Sequence, residues 1–173
     1  VRLVQLLACL GRPDLAMETF EKYRGALEGN PKAIRHVSES LGFAGWPAAA
    51  RRFFDEMVKK GQIKDESSQS SESVVVVDHS EAEIASVVGF THRFIRGAGA
   101  SVKGSRTFGS PDKDGISRLV FEFFVASSPE RVADLEWELF AALAHEPHPV
   151  ESSGQLSLML SPFTGSGDAY IDS

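Results

Sequence analysis

Phe53-Phe54-Asp55-Glu56-Met57-Val58-Lys59-Lys60-Gly61, preceded by Gly45, Pro47 and Ala50, has the pattern of a helix that starts after one glycine and stops at another. The same plan occurs once before it. Moving the chain by 34 residues lays Leu7 on Leu41, Gly11 on Gly45, Pro13 on Pro47, Ala16 on Ala50 and Phe20 on Phe54. Leu3 and Val37, Glu21 and Asp55, and Tyr23 and Met57 match in kind. Apolar spacing predicts helices over 2–10 and 13–28, then over 31–41 and 47–60. Gly11 and Gly45 fall where a helix ends and the chain reverses, and Pro13 and Pro47 fall in the first turn of the helix that follows. Ala16 and Ala50 are small, as a tight helix crossing requires. A hairpin of this kind cannot bury its apolar face alone, so it stacks on its copy.

Beyond the second hairpin the composition changes. Gln62 to Ser73 is rich in Ser, Glu and Gln and has one apolar residue, too little to offset the entropy of ordering it. The division expected is therefore two hairpin repeats over 1–61, a linker over 62–73, a second unit over 74–161 and a loose tail over 162–173. In the second unit, Val74 to Asp78 reads as a short strand. Ser80 then caps a helix that runs to Arg96, and 100–108 reads as an edge strand. Over 116–125, Leu119, Phe121, Phe123 and Val125 alternate with Arg118, Val120, Glu122 and Phe124, so the two sets occupy opposite faces of a strand. Ser128 and Pro129 open a helix with Val132, Leu135 and Leu139 on its buried stripe, and Leu156, Leu158 and Leu160 mark a last strand. The fold class is α+β. Helical hairpins of the α-solenoid type precede a ferredoxin-like βαββαβ arrangement, which implies an antiparallel sheet covered by two helices on one face.

The run from Phe53 to Gly61, with Gly45 and Ala50, closely resembles the second helix of a pentatricopeptide repeat, and Leu7 to Tyr23, with Gly11, Ala16 and Phe20, resembles it less completely. That resemblance covers about sixty residues and implies binding of single-stranded RNA in an organelle, mitochondrion or plastid. It also implies a base-facing position near Arg35, where the family usually has a small polar residue, and a closing position near Asp65. Three later stretches, Gly99 to Lys103, Gly115 to Phe121 and Ser128 to Glu136, resemble the bacterial small-subunit ribosomal protein six family. Arg106 stands near that family's basic strand position, and Ser117 and Arg118 stand where its aromatics are common. This second resemblance implies contact with protein and RNA rather than catalysis.

Composition narrows the remaining classes. No apolar run approaches the roughly twenty residues of a membrane span. One cysteine, Cys9, excludes an internal disulfide and any cysteine-cluster metal site. The start at Val1 carries no targeting signal, so the chain reads as a mature or partial product. The net charge is −6, but residues 1–66 hold eleven Lys/Arg against nine Asp/Glu, and the rest hold seven against fifteen. An RNA contact in the acidic part therefore needs a local basic face. Arg93, Arg96, Lys103, Arg106, Lys113 and Arg118 are the candidates, opposed by Asp112 and Asp114.

Catalytic patterns are weak. Asp78-His79 could be a general acid–base pair, or half of the Asp-x-His motif of small-MutS-related nuclease domains, but a solvated turn reads more simply. His145, Glu146 and His148 are interrupted by Pro147 and Pro149 and cannot share a helix face as metal ligands. Gly97-Ala98-Gly99 with Gly104 lacks the Lys-Ser/Thr of a phosphate loop. The expectation is a protein with no catalytic residues, metal or cofactor. It would be an RNA- and protein-binding accessory subunit of an organellar ribosome or RNA-processing particle. The alternatives are a structural scaffold subunit of another organellar assembly without RNA contact, and a nuclease.

Overall fold

The two glycine turns set the geometry of the amino-terminal helices. The computed structural model describes residues 1–64, 80–111, 117–145 and 156–165. The first hairpin is α1 (Arg2–Cys9) and α2 (Pro13–Tyr23), and the second is α3 (Pro31–Phe43) and α4 (Pro47–Lys59). At Gly11 the backbone turns left-handed (φ 65°), its N–H bonds the Ala8 carbonyl, and the next N–H, of Arg12, bonds the Leu7 carbonyl. Thirty-four residues on, Gly45 (φ 90°) bonds Gly42 and Trp46 bonds Leu41 in the same pattern. This Schellman closure needs positive φ, which glycine adopts without a Cβ penalty. Arg12 and Trp46 then hold nearly identical φ (−115° and −114°) ahead of Pro13 and Pro47.

The second helix of the first hairpin is shorter than the spacing predicts. It ends at Tyr23, and Arg24–Leu27 tightens into a 3-10 turn that contains Gly25 and buries Leu27. One core joins the two hairpins. Val4, Ala8, Ala16 and Phe20 of the first meet Val37, Leu41, Phe53 and Met57 of the second, and Phe20 and Phe53 pack edge to face at 4.9 Å. Trp46 Nε1 donates to the Pro13 carbonyl at 3.0 Å, tying one turn to the other.

The remaining elements are α5 (Glu81–Gly97), β1 (Val102–Pro111), β2 (Ser117–Val125), α6 (Pro129–His145) and β3 (Leu156–Pro162). Ser80 caps α5 through a reciprocal box with Glu83, the Ser80 N–H donating to Glu83 Oε2 at 3.0 Å. The described residues form a three-stranded mixed sheet in the order β1-β2-β3. β1 and β2 are antiparallel, whereas β2 and β3 run parallel.

That parallel pair corrects the ferredoxin-like expectation. A split βαβ unit keeps a strand between its two parallel members, but here β3 bonds β2 directly. The register gives the reason: Leu119, Phe121 and Phe123 of β2 lie opposite Leu156, Leu158 and Leu160 of β3, so both strands bury matched apolar sets on one face. The strand expected at 74–78 and most of the linker lie outside the described residues.

α5 has two buried sides, which explains why its buried residues exceed one stripe. Ile84, Val87, Val88 and Ile95 join the sheet core with Leu135, Leu139 and Leu143 of α6. On the hairpin side, a Cβ on Gly45 would lie 2.7 Å from the Ala85 Cα, and one on Gly11 would lie 2.5 Å from the Gly89 carbonyl oxygen. α5 therefore runs across both hairpin turns. Its first turn adds Glu81, which accepts from the Ala49 N–H at 2.7 Å and pairs with Arg52 at 2.8 Å.

Candidate nucleic-acid interface

With α5 and α6 both on the inner face of the sheet, the alternation of β2 sends Arg118, Val120, Glu122 and Phe124 to the outer face. The antiparallel register sets Arg106 opposite Glu122 and Phe108 opposite Val120. The Arg106 guanidinium lies between two rings, 5.2 Å from the Phe108 centre and 5.9 Å from that of Phe124. Its Nε donates to Glu122, and the Arg106 side chain is 62% exposed while that of Glu122 is 6% exposed. Glu122 also accepts from Ser161 Oγ at 2.6 Å. The result is a row of aromatic and cationic groups that reaches solvent above a buried carboxylate. Such a row offers ring faces for base stacking and positive charge for phosphate.

The other expected positions are distributed around this face. Arg118 is exposed on β2 in the same alternation, and Lys103 is exposed on β1 where the register shifts between Val102 and Gly104. Arg96 is exposed in the last turn of α5, where with Cys9 and His92 it lines a cavity of about 120 Å³. Arg93, although exposed, turns the other way, and its Nη1 donates to the Gly11 carbonyl of the first hairpin. Arg35 sits on α3 with Nη2 bonded to the Lys64 carbonyl at 3.2 Å and its guanidinium over Phe54. Asp65 and Lys113 lie outside the described residues, as do Asp78, His79, Glu146 and His148. Phe108 and Phe124 were not among the expected site residues, although period-two alternation was the signal that could have found them.

A second concavity, about 280 Å³, opens between the hairpins and β1, lined among others by Cys9, His36, Glu39, Phe43, Ser105 and Arg106. Burial pushes the Cys9 thiol up, the opposite of the shift that activates a nucleophile. Burial also raises the Glu39 carboxyl, against the opposing pull of His36, whose Nδ1 is 3.6 Å away, and of Arg35. Among the described residues no group of three His, Cys, Asp or Glu side chains is placed to hold a metal, and no helix is long and apolar enough to cross a membrane. Comparisons with protein-family models, with curated proteins and with solved structures find no match to this chain.

Proposed function

We propose that this chain is a non-catalytic RNA- and protein-binding accessory subunit of a ribosome or RNA-processing particle. The pentatricopeptide-like hairpins, stacked as in an α-solenoid, serve as its protein-docking platform. The observation that carries the RNA part is the exposed Arg106 guanidinium between Phe108 and Phe124. An organellar location rests on the family resemblance of the hairpins. Stacking on an aromatic ring is tolerant of base identity and contributes about 1–3 kcal/mol per base, so the expected binding is weakly sequence-dependent. Arg118 extends the positive charge of the same face, and Lys103 adds an exposed cation at the bulge of β1.

The test is binding of purified protein to single-stranded RNA over about 50–200 mM salt. Affinity should fall with salt, and Phe124→Ala and Arg106→Ala should each weaken it by roughly tenfold. Salt-independent binding, or none, returns the chain to the scaffold reading. That second reading has its own support: Glu122 partly neutralises Arg106, and Arg35 and Arg93 are bonded to backbone carbonyls within the fold.

A further inference from the structure

Helix α6 buries Val132, Leu135, Leu139 and Leu143 against the sheet, which accounts for one side of it. The opposite side is also apolar. Ala133, Trp137, Phe140, Ala141 and Ala144 follow at helical spacing and are all exposed, Trp137 at 78% and Phe140 at 38%. A large ring flanked by alanines forms a knob with room on both sides, the shape that a second helix packs against. Tryptophan is also the residue most enriched among those that dominate binding energy at interfaces.

The charges around this stripe select its partner. Asp134 and Glu138 border it on one side, Glu130 stands at its amino-terminal end, and Glu136 lies on the other side with its Oε1 accepting from the Leu160 N–H at 2.9 Å. Against these four carboxylates α6 has one arginine, Arg131, already paired with Glu138 at 2.7 Å. The Glu130 backbone N–H and then the Ser128 hydroxyl hold the Glu130 carboxyl below the usual range, so it is ionised at neutral pH. An acidic border repels RNA phosphates and anionic lipid, and it repels a second copy of the same helix.

We infer that the outer stripe of α6 is a docking site for a basic amphipathic helix of a partner protein. The partner's apolar face covers Trp137 and Phe140, and its Lys and Arg side chains meet the exposed Glu130 and Asp134. This surface is separate from the sheet face assigned to RNA, so either can fail without the other.

The probe is a labelled amphipathic Leu/Lys peptide helix, with a Leu/Glu peptide of the same pattern as control, titrated against the full chain by anisotropy. The Leu/Lys peptide should bind and the Leu/Glu peptide should not. Trp137→Ala combined with Phe140→Ala, and separately Asp134→Lys combined with Glu130→Lys, should each weaken binding by about tenfold or more. All four side chains are exposed, so unchanged circular dichroism will show that the variants fold. Three results would overturn the proposal: equal affinity in either variant, a homodimer in sedimentation that Trp137→Ala dissolves, or RNA or anionic-vesicle binding lost on Trp137→Ala.

Discussion

His92 shows what burial does to one side chain. It is 2% exposed, lies between the rings of Phe43 and Phe123, and has Nε2 3.2 Å from the Phe43 carbonyl oxygen. A carbonyl only accepts, so Nε2 carries the proton of a neutral ring. Burial lowers its pKa from 6.5 to about 4, with the Phe43 hydrogen bond opposing the shift. The unfolded chain therefore binds the extra proton first as pH falls. The contribution to stability is complete above pH 6.5, declines through the window down to about 4, and totals about 3 kcal/mol. Chemical denaturation at pH 7 and pH 4 should show that loss, and His92→Gln should show less of it. Glu122 gives a second prediction at this scale. Glu122→Gln removes the charge opposing Arg106, so on the proposed RNA-binding reading affinity for RNA should rise and the salt slope should steepen by about one unit. An unchanged slope in filter binding would make Arg106 irrelevant to phosphate.

The hairpin elements separate two effects that glycine usually combines. Gly45 and Gly61 both have positive φ, but an added Cβ at Gly45 meets α5 whereas one at Gly61 meets nothing within 4 Å. Gly61→Ala should cost about 1 kcal/mol from the left-handed backbone alone, and Gly45→Ala should cost about 1–3 kcal/mol more from the clash. Thermal melts of the two variants will give the difference. The 34-residue period yields a similar pair. Leu3 is 51% exposed and its counterpart Val37 is 1% exposed, because among the described residues the first hairpin covers Val37 and no element covers Leu3. Val37→Asp should unfold the stack, and Leu3→Asp should leave its melting temperature within a degree or two. The same comparison explains what was legible beforehand. Gly11, Gly45, the prolines and the apolar spacing specify local geometry, so helix and strand positions could be read closely. That β2 and β3 are direct neighbours depends on partners far apart in the chain, and hydrophobic alternation does not say which strands lie side by side. Arg106 was legible as a cation, and alternation could have named Phe108 and Phe124 as outer-face residues, but that the three meet follows only from the strand register.

At the scale of the whole molecule, α5 contacts every other layer. Its Ala85, Val88 and Gly89 meet the hairpin turns, while Ile84, Val87 and Ile95 belong to the sheet core. Hairpins and sheet should therefore melt in one transition, followed by Trp46 fluorescence in a Trp137→Phe background for the hairpins and by the infrared amide I band for the sheet. Gly89→Val should lower both midpoints together, since even a Cβ there lies 2.8 Å from the Pro13 ring. Two separate transitions would show that α5 does not couple them. Synthesis proceeds from the amino end, so both hairpins leave the translating ribosome before α5 does. During that interval Pro13, Trp46 and the floors of the two turns have no cover, and the nascent chain presents a sticky ridge suited to a holding chaperone. Release should follow once α5 has itself emerged and packed over the two turns.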